Sequence, residues 1–223
     1  YIIYMFNGQA GQDKFVINIL KEKCNGFFLE IGSNDPIEIN NSYILEKKYN
    51  WKGIMIEYDK KFKDLYKIHR SNSIHIFEDA TKINYKDLLK ENNFPNNIDY
   101  LQIDIEADNG STIKALEILD ESVMDNYKFS VITFEHDYKY NNKADIVKYT
   151  REKSREIFKK RGYVCVFPDV HNIIPYNVFE DWYVHPDLVD MKYVNNLILN
   201  NKDKYVPNEN TIKSIDWKNI KYI

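Results

Sequence analysis

Short apolar segments alternate with amphipathic ones along most of the 223 residues, and this alternation restricts the fold more than any other feature. The apolar segments have the length of buried strands, and the segments between them repeat apolar residues at helical spacing. Strands joined by helices run parallel, because each helix returns the chain to the same end of the sheet through a right-handed crossover. The pattern predicts an α/β fold with a seven-stranded, mostly parallel sheet and helices on both faces.

The hydrophobic pattern also places the individual elements. Strands are predicted over 26–32, 53–57, 73–77, 98–105, 129–134 and 163–167, with a seventh within 178–184. Helices are predicted over 11–23, 59–69, 112–119 and 143–161, in short segments around 43–47 and 84–89, and in the tail from about 187. Asn84 is the predicted N-cap of a short helix, and Gly162 the predicted C-terminal cap of the longest one.

Composition excludes several classes of protein. The formal net charge of −3 argues against a nucleic-acid partner, because nucleic-acid-binding domains are usually strongly basic. No apolar run approaches the ~20 residues that cross a bilayer, and no secretory signal is present, so we expect no membrane span and a cytoplasmic protein, or one of the host cytoplasm if the source is viral. Cys24 and Cys165 form no motif and are interpreted as two separate thiols.

Acidic residues follow most of the predicted strands. They stand within 30–35, 57–59, 78–79, 104–106 and 135–137. The carboxyl ends of parallel strands meet at one edge of the sheet, where folds of this kind bind their ligands. Carboxylates crowded at one edge repel each other unless a cation or hydrogen-bond donors satisfy them. The sequence therefore predicts a cationic ligand, a metal ion, or both.

Gly32 and Glu57 have the spacing of the glycine turn and the ribose-binding carboxylate in nucleoside-binding folds. Gly32 ends the first strand and would let a ligand approach the backbone closely. Glu57 follows about 25 residues later, where dinucleotide- and adenosyl-binding folds carry the carboxylate that accepts from both ribose hydroxyls. Asp79, after the third strand, is positioned to accept from an exocyclic amine such as that of adenine. The alternative for each carboxylate is a solvated charge at a strand end.

Several segments, taken together, resemble the FkbM-like family of class I S-adenosylmethionine-dependent methyltransferases. They cover residues 11–15, 27–35, 41–47, 51–57, 98–106 and 132–136. The string Asn-Ser-Tyr over 41–43, Leu-Glu over 45–46, Trp-Lys-Gly-Ile over 51–54 and then Glu57 is specific, because residue types and spacing coincide at many positions together. The resemblance implies a Rossmann-like fold and transfer of a methyl group from S-adenosylmethionine, commonly to a hydroxyl group of a sugar or a related natural product.

We expect one methyltransferase domain over 1–223, with an N-terminal helical segment over 1–25, a Rossmann-like core over 26–186 and a C-terminal helix and tail over 187–223. Two residues depart from the family pattern, which often has glycine at both places: Pro36 after Asp35, and Ala107 after Glu106. Because Pro36 has no backbone N–H and a fixed φ, we expect the methionine end of the cofactor to be held differently from the family.

The resemblance also assigns the cofactor contacts. Glu30, Gly32 and Asn34 would line the methionine portion, Glu57 would hold the ribose, and Asp79 would meet the adenine. The predicted cofactor site is completed by Ser33, Ala80 and Asp104, and by Gln12 and Ser42 from flanking segments. The alternative for Gln12 and Ser42 is that they only cap helices.

An alcohol acceptor needs help to lose its proton, because its pKa lies far above 7. We predict a divalent ion, Mn²⁺ or Mg²⁺, bound by Asp104, Glu135 and His136, since related methyltransferases place an ion there and two carboxylates with an imidazole suit these metals. In the metal-free alternative His136 or Glu106 acts as the general base. The predicted catalytic residues are therefore Asp104, Glu106 and His136.

The acceptor is predicted to be a small molecule or a glycan with a sugar hydroxyl group. Trp182 and Tyr183 would stack on the sugar ring, and Asp181 would bind its hydroxyls; the alternative is that Trp182 packs under the sheet. Two other functions stay open. A nicotinamide-dependent oxidoreductase would need Gly-x-Gly-x-x-Gly, of which only Gly32 is present. A non-catalytic binding module would keep the fold alone. The sequence does not determine the oligomeric state.

Overall fold

A computed structural model describes residues 6–138, 145–172, 177–201 and 215. The strands are β1 Phe27–Ile31, β2 Lys52–Ile56, β3 Ile74–Ile76, β4 Asn97–Ile103, β5 Lys128–Glu135, β6 Val164–Asn172 and β7 Asn177–Val184. The helices are α1 Gln12–Ile19, α2 Tyr43–Tyr49, α3 Lys63–His69, α4 Tyr85–Glu91, α5 Ser111–Ser122, α6 Asp145–Lys160 and α7 Met191–Asn201. Short 3₁₀ helices span Lys60–Phe62 and Ala80–Lys82.

The seven strands form one sheet in the order β3-β2-β1-β4-β5-β7-β6. The first five strands pair in parallel, and the strand order reverses between β1 and β4. The predicted α/β fold and the mostly parallel sheet are therefore confirmed. A crevice forms beyond the carboxyl ends of the strands where the order reverses, because the crossovers on the two sides diverge.

β7 is the exception to the parallel arrangement and pairs antiparallel with both β5 and β6. Its direction follows from chain length: β6 ends at Asn172 and β7 begins at Asn177, and so few residues cannot form a helical crossover. β6 is an edge strand, which accommodates Pro168 because a proline has no backbone N–H to give to a second neighbour. The register between β6 and β7 shifts on both sides of this proline.

The two faces of the sheet carry separate hydrophobic cores. Residues that alternate along each strand point to opposite faces, so that Phe28 and Tyr100 join one core while Leu29 and Leu101 join the other. The first core is covered by residues of α1, α2, α3 and α7, and the second by residues of α4, α5 and α6. Helices on both faces keep the central strands buried, which explains their near-continuous apolar sequence.

Element boundaries differ from the prediction where local backbone geometry intervenes. The first helix ends at Ile19 rather than 23, because Lys21 and Glu22 adopt positive φ and turn the chain toward β1. Asn84 caps α4 as predicted, its side chain accepting the Asp87 N–H at 3.2 Å. Gly162 ends α6 with a φ of 81°, and the paired bonds from Gly162 and Tyr163 back to α6 form a Schellman motif.

The tail helix begins at Met191 instead of near 187, and the irregular end predicted beyond it lies outside the described residues, apart from position 215. The division of 1–223 into three parts stays a prediction. Among the described helices none combines the length and the apolar character needed to cross a membrane.

The core arrangement predicts a large loss of stability when Leu101 is replaced by Ala. Leu101 is fully buried in β4, so the change should lower the free energy of unfolding by about 2–5 kcal/mol through lost burial and a residual cavity. Urea unfolding of Leu101→Ala measures this. The matched control is Leu65→Ala, where the side chain is 41% exposed and the expected change is within about 0.5 kcal/mol. Equal losses in both variants would contradict the assigned burial of β4.

Candidate active site

A cavity of about 660 Å³ opens at the carboxyl ends of the parallel strands. This volume lies in the usual range for sites that bind small molecules or cofactors. Eight of its lining residues are acidic and one, Lys61, is basic. The lining consists of Gln9, Glu30, Gly32, Ser33, Asn34, Ile39, Ile56, Glu57, Tyr58, Asp59, Lys61, Phe62, Glu78, Asp79, Ala80, Gln102, Asp104, Ile105, Glu106, Asn109, Ser111 and Glu135.

The ends of β1 and β4 approach each other closely at the base of the cavity. Gly32 follows β1 with a φ of +85°, and a Cβ atom at this position would lie 1.7 Å from the backbone oxygen of Asp104. The Asp104 N–H in turn donates to the carbonyl of Ile31 at 2.9 Å. Only glycine fits here, both for its backbone conformation and for the space available. Gly32 therefore fixes the positions of the residues after β1 and after β4 relative to each other.

Glu57 is held rigidly at the end of β2. Its Oε2 accepts the N–H of Asn34 at 2.7 Å, and its Oε1 accepts the N–H of Asp59 at 2.7 Å. Asn34 reaches this bond with a φ of 47°, a conformation that asparagine tolerates better than most residues. Each carboxylate oxygen keeps capacity for a second hydrogen bond, so Glu57 can accept from ligand hydroxyls.

Asp79 is anchored in a similar way after β3. Its Oδ1 accepts from the N–H and the hydroxyl of Thr81, and its Oδ2 pairs with Lys82 at 3.1 Å. The hydrogen bonds from Thr81 and the contact with Lys82 lower the pKa of Asp79 to about 2. Asp79 is therefore an ionised acceptor at neutral pH, beside Ala80 on the cavity wall.

Asp104 carries an uncompensated carboxyl at the end of β4. Burial and the nearby carboxylates of Asp137, Glu30 and Glu106 raise its pKa to about 7. Among the described residues, Asp104 accepts one side-chain hydrogen bond, a long contact of 3.4 Å from Gln102 Nε2. A cation bound in the cavity would relieve this repulsion and keep Asp104 ionised.

Glu30 lies on the inner wall, fully buried in β1. Its Oε2 accepts from Ser42 Oγ at 2.5 Å, while its Oε1 has no hydrogen-bond partner among the described residues. Burial raises the pKa of Glu30, and the nearby Arg70 guanidinium acts against that rise. A buried acceptor without a partner usually indicates a missing ligand or water.

The structure brings most of the predicted cofactor residues to this one cavity. The members on its wall are Glu30, Gly32, Ser33, Asn34, Glu57, Asp79, Ala80 and Asp104. Gln12 and Ser42 do not line it. Gln12 instead donates to Glu180 Oε1 at 2.5 Å and accepts the N–H of Ala10, so it joins α1 to β7. Ser42 approaches the cavity only through Glu30.

The structure does not assemble the predicted metal ligands. Asp104 and Glu135 line the cavity, but His136 is fully buried elsewhere. Its Nδ1 accepts the N–H of Tyr138 at 3.1 Å, and its Nε2 faces Asp181 at 3.4 Å. Both ring nitrogens of His136 have partners outside the cavity lining, so the three predicted ligands do not form one group among the described residues.

Across the described ranges, one group of three candidate ligand atoms lies within 4.8 Å of one another: His136, Asp169 and Asp181. Arg155 already donates to Asp169 Oδ1 at 2.7 Å and to both oxygens of Asp181. The Arg155 guanidinium already supplies the positive charge that a metal ion would bring, so this group is a partly buried ion-pair network.

The three predicted substrate residues are part of the protein interior. Trp182 is fully buried against Phe15 and Phe167, with ring centroids 4.9 and 5.6 Å away, which is the packing alternative. Tyr183 is buried and donates to Asp181 Oδ2 at 2.9 Å. Burial alone would raise the pKa of Asp181, but hydrogen bonds from Arg155 and His136 hold it well below its usual range. None of the three lines the cavity formed by the described residues.

Several cavity residues were not predicted. Gln9 precedes α1, Gln102 lies in β4, and Ile39 and Tyr58 stand at the mouth, 66% and 76% exposed. Hydrophobic periodicity separates core positions from surface positions. It does not show which exposed apolar side chains stand beside a cavity. Tyr58 could have been found because it directly follows Glu57.

The two departures from the family pattern have local explanations. The carbonyl of Pro36 accepts from Arg70 Nη1 at 3.1 Å, so the loop after β1 is fixed by a buried arginine. Ala107 is buried and is absent from the residues with positive φ, so this position does not need a glycine.

Comparison with known proteins supports the fold. No family model matches the chain, and no curated protein matches it in sequence. A proposed rRNA-methylase from Clostridium thermocellum superimposes with a TM-score of 0.51 at 13% identity, covering 81% of this chain and 97% of that one. The delta-N METTL16 MTase domain superimposes with a TM-score of 0.51 at 8% identity, covering 77% of this chain and 79% of that one. The chain therefore has the Rossmann-like fold of class I methyltransferases.

The ion-pair network predicts that Asp181 acts on stability. Asp181→Asn removes the fully buried partner of Arg155, which keeps its pair with Asp169, so the free energy of unfolding should fall by about 1.5–3 kcal/mol through lost charged hydrogen bonds. Chemical denaturation measures the loss. The control Asp187→Asn breaks an exposed pair with Lys128 and should leave the free energy of unfolding nearly unchanged, because water already screens this pair. Unchanged stability in Asp181→Asn, with loss of binding to a carbohydrate, would restore its predicted role in substrate binding.

Proposed function

We propose that the chain is an S-adenosylmethionine-dependent methyltransferase. The observation that carries the proposal is the cavity at the sheet's reversal point, where carboxylates at the ends of β1, β2, β3 and β4 surround the Gly32 turn. S-adenosylmethionine has a ribose, an adenine amine, an ammonium group and a sulfonium, and each of these groups is matched by an acceptor or an anion on this wall.

The residues present fit this cofactor in two respects. The Gly32 turn lines the cavity with backbone and no side chain, and Glu30 Oε1 is a buried acceptor without a partner among the described residues. Glu57 would accept from the ribose hydroxyls, Asp79 would accept from the adenine amine, and Glu30 would bind the ammonium group. When bound, the cofactor supplies the methyl group from its positively charged sulfur.

Asp104 and Glu106 line the cavity on the side nearest β5 and are the proposed catalytic residues. A carboxyl group with a pKa of about 7 is suited to accept a proton near neutral pH. We propose that ionised Asp104 balances positive charge in the site and accepts the proton of the acceptor hydroxyl, with Glu106 as the neighbouring base. Among the described residues Asp104, Glu135 and His136 do not form one coordination group, and the proposed proton transfer uses carboxylates alone.

The proposed acceptor is a hydroxyl group of a sugar or a glycan. Two points support this class: the resemblance to the FkbM-like family, and the acidic lining, which disfavours polyanionic acceptors such as RNA by charge repulsion. A screen with labelled S-adenosylmethionine against mono- and oligosaccharides, RNA and protein tests it. Label in the carbohydrate fraction is expected, and label only in RNA or protein would contradict the acceptor class.

The ribose assignment predicts weaker cofactor binding in Glu57→Ala. Loss of charged hydrogen bonds to the ribose should weaken S-adenosylhomocysteine binding by about 1.5–3 kcal/mol, measured by calorimetric titration. The matched control is Glu152→Ala on α6, whose side chain is 63% exposed and remote from the cavity, and its affinity should equal that of the parent. If the parent protein binds no S-adenosylhomocysteine, a non-catalytic module that only shares the fold is the better description.

The raised pKa of Asp104 predicts opposite effects on stability and activity. The protonated carboxyl is favoured by the fold, so its contribution to stability is complete below the unfolded pKa of roughly 4 and is lost as pH rises through about 7. Asp104→Asn, which imitates the protonated form, should therefore raise the Tm of the ligand-free protein more at pH 8 than at pH 5.

The same variant should lose at least about 100-fold in turnover, because the proton acceptor is gone. Its affinity for S-adenosylmethionine should fall more than its affinity for S-adenosylhomocysteine, which has no sulfonium charge. Asp108→Asn, an exposed change in the same turn, is the control and should alter none of these quantities. A Tm gain that is independent of pH, or full turnover, would contradict the role of Asp104.

A further inference from the structure

A fully buried arginine lies behind the methionine side of the cavity. Arg70 follows α3 and has no exposed surface. Its Nε donates to Glu46 at 3.0 Å, its Nη1 donates to Asn40 Oδ1 at 2.8 Å, and its Nη2 donates to Ser42 Oγ at 2.6 Å. Burying a guanidinium costs free energy unless it is paired with a carboxylate and its N–H groups are hydrogen-bonded. The partners of Arg70 include the loop after β1 and the residue that precedes α2.

Ser42 connects this arginine to Glu30. Its hydroxyl oxygen accepts from Arg70 Nη2, and its proton is directed to Glu30 Oε2 at 2.5 Å. A hydroxyl that accepts from a cation is polarised and donates more strongly to the next acceptor. The chain from Arg70 through Ser42 to Glu30 is therefore a charge-assisted relay that satisfies one oxygen of Glu30.

The relay leaves the other oxygen of Glu30 for the cavity. Glu30 Oε1 is buried and has no partner among the described residues, and Glu30 is one of the residues that line the cavity. The other ionisable groups that act on Glu30 are Tyr66, Tyr100 and Asp104, and none of these is a cation. Among the described residues Arg70 is the cation that acts on Glu30, and the ammonium group of a ligand would be a second one.

We propose that Ser42 and Arg70 are positioning residues, which orient Glu30 with Oε1 towards the cavity so that it binds the ammonium group of the ligand's amino acid. This inference rests on the proposed function and extends it. Neither residue lines the cavity, so both act through Glu30. On this proposal Glu30 recognises the amino-acid part of the ligand, while Glu57 and Asp79 recognise its nucleoside part. Changes in Ser42 or Arg70 should therefore affect binding of the amino-acid part alone.

Two ligands separate these parts experimentally. S-adenosylhomocysteine carries the amino-acid ammonium group, and 5′-methylthioadenosine has the same nucleoside and sulfur without it. In Ser42→Ala the dissociation constant for S-adenosylhomocysteine should rise about tenfold, as for the loss of a hydrogen bond to a charged group, while that for methylthioadenosine should change less than about twofold. Glu30→Gln should give the same pattern, and adding Ser42→Ala to it should have little further effect.

Ser154→Ala is the matched control, because it also removes a fully buried hydroxyl, one that bonds only the Arg151 carbonyl of α6. It should weaken neither ligand, and Ser42→Thr, which keeps a hydroxyl, should retain S-adenosylhomocysteine binding. Equal weakening of both ligands in Ser42→Ala and Glu30→Gln would show a merely structural role and overturn the proposal. Unchanged binding of both ligands in these variants would overturn it as well.

The parent protein separates this inference from the proposed function. If it binds methylthioadenosine and S-adenosylhomocysteine equally well, Glu30 does not hold the ammonium group, and the inference fails while the proposed function stands. If it binds neither ligand, the proposed function fails and the inference fails with it.

Discussion

The contact between the end of β1 and the end of β4 is the constraint on which the rest of the site depends. Gly32 lies against the Asp104 carbonyl so closely that no side chain fits, and this contact sits where the strand order reverses. The parallel pairing of β1 with both β2 and β4 then sets the positions of Glu30, Glu57 and Asp104 along one edge. The site is therefore rigid, because it is built on the ends of buried strands.

Electrostatics divides the acidic residues into two groups with different tasks. At the cavity the carboxylates face one another with few cations, and burial together with these neighbouring carboxylates raises the pKa of Asp104. On the β6–β7 side, Asp169 and Asp181 are matched by Arg151 and Arg155. Among the carboxylates of the first kind, Glu30 Oε1 has no partner in the described part of the chain, whereas those of the second kind join α6 to β6 and β7.

The arginines mark this division in the sequence. The chain has only four of them among its 31 basic residues, and all four are paired with carboxylates: Arg70 with Glu46, Arg151 and Arg155 with Asp169, and Arg161 with Asp120. A planar guanidinium satisfies a buried carboxylate better than an ammonium group does. In this chain the four arginines therefore mark carboxylate pairs that periodicity and motif spacing do not reveal.

The sequence by itself determined the order of strands and helices along the chain, the mostly parallel sheet and the residues that follow each strand. These features depend on local periodicity and on the short connections between neighbouring elements. Glu57, Asp79 and Asp104 could be named in advance for that reason. Only the tertiary structure decided where the side chains of His136, Asp181 and Trp182 point, because their partners Arg155, Asp169 and Phe15 lie far away along the chain. Adjacency to a strand end brings a residue to the edge of the sheet, but long-range packing and ion pairing decide which way it faces.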